Sequence, residues 1–228
     1  MSDVETSPEA TQQAPLASRV AAPVRKRPRP GERRVQILQA LATMLEHPGA
    51  ERITTAALAA RLDVSEAALY RHFASKAQMF EGLIDFIEQT VFSLVNQIVE
   101  RESASSPAEL SPDVQSGARQ AAKIIVMLIQ FAEKNPGMTR VMVGDALVFE
   151  NERLQQRMNQ FFDKIEAALK QSLRSVADAS GSATPSVDTQ VRASVLSAFV
   201  VGRLQRFARS GFKRLPSEHL ESSLALIL

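Results

Sequence analysis

Tyr70, Arg71, His72 and Lys76 bring four hydrogen-bond donors together within seven residues. Tyr70 and Lys76 suit phosphate oxygens, and a guanidinium such as Arg71 can serve a phosphate or a base edge. Just ahead of them stand Ser65, Glu66, Ala67 and Ala68. Small side chains at a helix start permit close approach to base edges and thymine methyls. The helix N-terminus itself favours an anionic neighbour. The chemistry this points to is recognition of a polyanion. The same spacing also fits a helical hairpin inside an ordinary bundle; the exposed Tyr-Arg-His cluster and a basic flank favour nucleic acid.

Residue types that could do catalysis are present, but they are not arranged for it. His47, His72 and His219 are far apart in sequence, and none has a convincing metal-ligand neighbour at helical spacing. Glu218-His219 and Glu221 read as a solvated helix start. Glu150, Glu152, Asp163 and Glu166 share a helix with Arg153, Arg157 and Lys164, so ion pairing at i, i+4 accounts for them. There is no glycine-rich phosphate loop and no nucleophile-base ordering with supporting context. An enzyme is not expected, nor is a cofactor or a metal.

The elements that must position the donor cluster can be read directly. Thr54 precedes Ala56-Ala57-Leu58-Ala59-Ala60, a strong helix-forming run that it can cap. This helix should reach Leu62. Asp63 takes the tight turn, because Asp tolerates the left-handed conformation better than most non-glycine residues. Ser65 caps a second short helix over Glu66 to His72, with Leu69 and Phe73 pointing inward. Ser75-Lys76-Ala77-Gln78 reads as a capping box that starts the next helix. Two short helices around a tight turn make a helix-turn-helix, whose second helix enters the major groove.

Ile53-Thr54-Thr55, Leu58-Ala59, Val64-Ser65, Leu69-Tyr70-Arg71-His72-Phe73 and Ser75-Lys76 together resemble the amino-terminal DNA-binding domain of the TetR family of transcriptional regulators. Asp63 stands where that family usually has Gly, and Ala74 where Pro is common. The resemblance implies a homodimer on palindromic double-stranded DNA. It gives a DNA-facing role to Thr54, Thr55, Ser65, Glu66, Ala67, Ala68, Tyr70, Arg71, His72 and Lys76. Further runs, at Met79-Phe80, Phe86-Ile87-Glu88, Lys134 to Arg140 and Ala146 to Glu150, are similar to a branch of the family that blocks cell division. That similarity covers most of residues 33 to 215. It implies a DNA-bound inhibitor of the tubulin-like GTPase FtsZ, with Phe86, Lys134, Asn135 and Met138 matching the FtsZ-facing surface.

Periodicity alone favours a covered Phe86, about 120° from the centre of its helix's apolar stripe. It places Leu94, where relatives often carry Arg, inside. Two rival readings remain. One is a conventional repressor of the same fold controlled by a small-molecule ligand. The other is an interaction adaptor with a vestigial head, against which Tyr70, Arg71 and Lys76 argue.

Composition bounds the rest. The chain has 228 residues, 45% hydrophobic and 5% aromatic, with no Cys or Trp. Few glycines and many good helix formers indicate an all-α protein. The absence of cysteine excludes disulfides and suits a reducing cytoplasm. No apolar run is long enough for a membrane span, and the first 18 residues do not read as a signal peptide. Net charge is only +2, so charge distribution matters more than the total.

Residues 1–30 read as a disordered arm carrying Arg25-Lys26-Arg27-Pro28-Arg29-Pro30, able to follow phosphates beside the head. Residues 31–76 form the DNA-binding domain and 77–228 a helical dimerisation and partner-binding domain. Apolar stripes predict helices over about 32–46, 75–100, 113–134, 146–177, 187–210 and 217–228, with a shorter one ending near Val143. Val35, Leu38, Leu41, Ala42 and Leu45 form the first stripe. The last two helices, apolar with small residues interspersed, are the candidate dimer seam.

Overall fold

The structure is a computed structural model that describes residues 31–47, 53–105, 114–179, 181 and 183–228. The basic arm expected over 1–30 lies outside the described residues, as do residues 48–52 and 106–113. The described elements are helical. In order they are α1 (Glu32–Leu45), α2 (Thr55–Arg61), α3 (Glu66–Tyr70), α4 (Lys76–Ser105), α5 (Val114–Lys134), α6 (Pro136–Met142), a single 3-10 turn (Asp145–Leu147), α7 (Glu152–Ala179), α8 (Pro185–Arg209) and α9 (Leu220–Ile227).

Helices α1 to α3 form a small head, and α4 runs from it into the body. One apolar core passes through both parts without a break. In the head it includes Ile37, Leu41, Leu45, Leu58, Leu69 and Phe73. Along α4 it continues through Phe80, Leu83, Ile84, Ile87 and Val91, and in the body it meets Ile124, Leu128, Leu154, Phe161, Leu169, Leu196 and Leu204. Edge-to-face contacts of Phe161 with Phe92 and Phe162 fill the space between α4 and α7.

Head and body meet closely at one glycine. A Cβ on Gly137 of α6 would lie 1.9 Å from the Ala42 carbonyl oxygen of α1. Only a residue without a side chain lets these two backbones touch.

Several expectations are corrected. Val35 is 51% exposed; the buried line of α1 is Ile37, Leu41 and Leu45, and Val35 falls outside it. Residues 148–151 are not helical, so the long helix expected from Ala146 begins instead at Glu152. Gly144 has φ 84°, and Asn151 Oδ1 accepts from the Arg153 N–H at 3.0 Å, marking the new start. Leu94 and Phe162 are half-buried rather than interior. Residues 217–219 form turns, with His219 at φ 53°, so α9 starts later than the stripe suggested. Arg203 holds that turn by donating to the carbonyls of Pro216 (2.9 Å) and Glu218 (2.6 Å) and to Ser223 Oγ (2.8 Å).

The α7 cations do not pair along their own helix. Arg153 pairs with Glu81 of α4; Arg157 pairs with Asp85 (2.9 Å) and Glu88 (2.7 Å); Lys164 reaches Glu88 at 3.8 Å. Burial alone would lower the Arg157 pKa, but hydrogen bonds and charge contacts with Asp85 and Glu88 outweigh it and raise the value. No helix among the described residues is long and apolar enough to cross a membrane.

Candidate nucleic-acid interface

The local sequence builds the head as the cap residues require. Thr54 Oγ1 accepts from the Ala57 N–H at 3.1 Å, and Ser65 Oγ accepts from the Ala68 N–H at 3.3 Å. Each satisfies a first-turn donor that has no partner within the helix. Asp63, at φ 54°, makes the turn between them in the left-handed region. Ser75 Oγ accepts from the Gln78 N–H at 3.2 Å, as the capping box predicts. The return bond differs by one residue, since Gln78 Oε1 accepts from the Ala74 N–H at 2.9 Å.

Leu69 and Phe73 are buried and anchor α3, and its other side is open. Ser65, Glu66, Ala67, Tyr70 and Arg71 are exposed there, while Ala68 and His72 are half-buried. The surface that results is a short helix with small residues at its start and Tyr70 and Arg71 at its end. Arg34 of α1 closes the back of this unit. Its guanidinium donates to the His72 carbonyl at 2.9 Å and lies 4.2 Å from the centre of the Phe73 ring. No pattern in the sequence distinguished Arg34 from the solvated arginines around it.

Three of the residues assigned to DNA contact are also bonded to one another. Thr55 Oγ1 donates to Glu66 Oε2 at 2.5 Å and accepts from Tyr70 Oη at 3.4 Å. This chain ties α2 to α3 and fixes the direction of the phenol. Thr55 and Glu66 therefore position Tyr70 within the unbound protein. Lys76 is likewise engaged, with its Nζ 2.5 Å from Glu150 Oε1 in the turn before α7.

The residues matched to the FtsZ-facing surface differ in exposure. Phe86 is 45% exposed in the single chain, contrary to the covered position that periodicity favoured. It shares its side of α4 with Gln89 and Gln97, both also exposed. Lys134 is exposed at the end of α5; Asn135 is half-buried and donates from Nδ2 to the Phe131 carbonyl at 2.8 Å. Met138 is buried at 9% exposure, because α6 turns it into the core, so it offers little surface to a partner. Val148 and Phe149, named from sequence only within the run Ala146 to Glu150, are 70% and 65% exposed. They lie in the turn that the helical reading of 146–177 concealed.

An exposed second helix capped by Ser65 on a three-helix head, joined by a long fourth helix to a helical body, defines a DNA-binding regulator of the TetR type. Comparison with known proteins agrees. Residues 37–83 match the family of bacterial regulatory proteins, tetR family, and residues 118–228 match a tetracyclin repressor-like C-terminal domain of the SlmA-like kind. The nucleoid occlusion factor SlmA of Aliivibrio fischeri (strain MJ11) is 49% identical over 201 residues, 88% of this chain and 96% of its own. That of Vibrio cholerae is 47% identical over 86% of this chain and 93% of its own. Among solved structures, the fatty acid degradation regulator FadR of Bacillus halodurans superposes with TM-score 0.67 at 14% identity, over 86% of this chain and 95% of that one. The TetR-family regulator PfmR of Thermus thermophilus does so with TM-score 0.65 at 19% identity, over 85% and 97%. At that identity these structures show the fold alone. The chain belongs to the SlmA family of nucleoid occlusion factors, within the TetR-type DNA-binding proteins.

Proposed function

We propose that this protein is a homodimeric nucleoid occlusion factor that binds palindromic DNA through α3 and, when bound, prevents FtsZ assembly beside the chromosome. The observation that carries the DNA half is the open face of α3, whose Tyr70 is already oriented by Thr55 and Glu66. Ser65, Ala67 and Ala68 approach the base edges. Tyr70 and Arg71 take phosphates or bases, and Lys76 reaches a phosphate by exchanging Glu150 for it. This work belongs in the cytoplasm, at the nucleoid.

The dimer seam lies on the outward face of α8. Val187, Val191 and Val195 are 58%, 56% and 48% exposed, and they recur every four residues. Ala198 and Gly202 continue that face and border a cleft of 510 Å³ reaching to His219 and Ser223. An apolar helical face of this length suits a symmetric helix pair. Such a dimer presents its two α3 helices to successive major grooves, roughly 34 Å apart.

For FtsZ, the supporting feature is Phe86, an aromatic ring open to solvent on a polar side of α4. Lys134 and Asn135 supply the rest of the surface; Met138 acts only as packing beneath them. Because α4 starts at Lys76 and carries Phe86, one rigid helix links the two binding events.

The test is sedimentation of GTP-assembled FtsZ polymer with this protein, with and without a palindromic duplex selected by the protein from random sequence. Polymer should fall only when duplex is present, and Phe86→Ala should restore it. Unchanged polymer alongside tight duplex binding would sink the FtsZ half and return the protein to the ligand-controlled repressors.

A further inference from the structure

Between Asp188 and Glu218 the chain contains no carboxylate, yet it carries Arg192, Arg203, Arg206, Arg209, Lys213 and Arg214. In a chain with 27 basic and 25 acidic residues this is a strong local imbalance. Arg203 is consumed in holding the turn before α9. Arg206, Arg209, Lys213 and Arg214 are all exposed. Their side chains make no ion pair or hydrogen bond among the described residues, unlike the paired cations of α7.

The turn that carries Lys213 and Arg214 is held in place. Gly211 and Phe212 are consecutive left-handed residues, at φ 63° and 65°. For a bulky residue such as Phe212 this conformation is unfavourable. It persists because the ring packs edge-on to Phe207 at 5.1 Å and under the Arg140 guanidinium at 5.2 Å. Ser210 Oγ accepts from the backbone N–H groups of both Lys213 (3.1 Å) and Arg214 (2.9 Å). Two cations are thus presented side by side on a fixed backbone.

Position supplies the partner. Arg140 belongs to α6, the helix whose Gly137 backbone touches Ala42 in the head. The basic turn therefore sits on the head side of the body. At 100° per residue, Arg209 also continues the exposed line of Val187, Val191 and Val195, with Arg206 at its margin. In the dimer proposed above, where both heads face one duplex, pairing through that line puts the two basic turns on either side of the symmetry axis, on the side of the DNA. The turn itself carries no carboxylate; Glu218 lines the same cleft as Arg206 and Arg214, and Glu133 is engaged by the Ser217 N–H, so the four cations outnumber the acids beside them and leave a positive patch that suits a polyanion. On a palindromic duplex, the phosphates at the centre of the site are placed in symmetric pairs about the same axis.

We infer that Arg206, Arg209, Lys213 and Arg214 form a second DNA contact, made by the body rather than the head, to the phosphate backbone between the two half-sites. This rests on the DNA-binding dimer proposed above. The contact is electrostatic and indifferent to sequence. It adds affinity and holds the duplex against the body, while α3 reads the bases.

The test compares parent and Arg209→Gln/Lys213→Gln/Arg214→Gln protein on the selected palindromic duplex, by fluorescence anisotropy across a salt series. Each lost phosphate contact lowers the slope of log K against log salt by about 0.9, so one per turn in a dimer lowers it by about 1.8. Between about 50 and about 200 mM salt, the variant should then lose about twelvefold less affinity than the parent. Ethylation of the central phosphates should interfere with the parent and not with the variant. Equal slopes with an intact parent complex would overturn this inference and leave the head's role standing. A parent that does not bind duplex at all would overturn the reading beneath it. If the variant keeps the parent slope but loses binding to phosphatidylglycerol-rich vesicles, the patch serves a lipid surface and the inference fails. Sedimentation of the variant checks that it remains folded and dimeric.

Discussion

Lys76 Nζ and Glu150 Oε1 lie 2.5 Å apart, joining the first residue of the helix that leaves the head to the turn that precedes α7. The Glu150 side chain is only 8% exposed and that of Lys76 29%. The same ammonium group is a structural tie here and, in the function proposed above, the phosphate ligand of the DNA complex. Competition between the two partners predicts that Glu150→Gln strengthens duplex binding a few-fold, because Lys76 no longer has to leave an anion. Lys76→Met strands a nearly buried carboxylate and should cost about 1–3 kcal/mol of stability. Anisotropy titration and urea denaturation read the two effects separately. Weaker DNA binding by Glu150→Gln would argue that the tie positions Lys76 for phosphate instead of withholding it.

The two helix caps of the head should behave as independent increments. Thr54→Ala and Ser65→Ala each remove a side-chain acceptor from a first-turn amide. A loss of about 1 kcal/mol each is expected in chemical denaturation. Ser65→Ala should also weaken DNA binding, since it loosens the start of α3, whereas Thr54→Ala should affect it less.

Two glycines on different surfaces give opposite expectations. Ala at 137 places its Cβ 1.9 Å from the Ala42 carbonyl oxygen, and backbone cannot yield as a side chain can. Gly137→Ala should destabilise the protein by about 1–3 kcal/mol and part α6 from α1. A Cβ on Gly202 meets nothing within 4 Å in the single chain. Gly202→Ala should therefore leave the subunit at least as stable, since Ala is the better helix former. If a second copy packs on that face, the same change raises the dimer dissociation constant in analytical ultracentrifugation.

The exposed line of α8 offers a sharper form of that experiment. Val191→Glu/Val195→Glu should convert the dimer to a folded monomer, because both side chains are open within the subunit. Duplex affinity should fall steeply, as a monomer engages one half-site only. A variant that sediments as a dimer would place the seam elsewhere.

Much of this molecule was legible in order. The head could be read almost residue by residue because its signals are local. A threonine or serine caps the next few amides, an aspartate tolerates one left-handed turn, and an apolar pair anchors a short helix. The alternation of stripes and breaks likewise gave the long helices, with errors of a few residues where caps such as Asn151 decided the boundary. The chemistry of the α3 face, donors behind small residues, was visible for the same reason.

What the order could not decide was pairing across distance. Helical periodicity assigns a residue to a side of its own helix but does not say what lies opposite. Arg153, Arg157 and Lys164 could pair within α7 by spacing, and only the packing of α4 against α7 gave them Glu81, Asp85 and Glu88 instead. Phe86 looked coverable and is open, while Met138 matched a partner surface and is buried. α8 has an inward apolar line and an outward one, which a single averaged stripe merges. The tie between Lys76 and Glu150, and the approach of Gly137 to Ala42, unite residues that are remote in sequence. Local rules fix a backbone through nearest neighbours, whereas a charge or a methyl finds its partner only when distant helices are brought into contact.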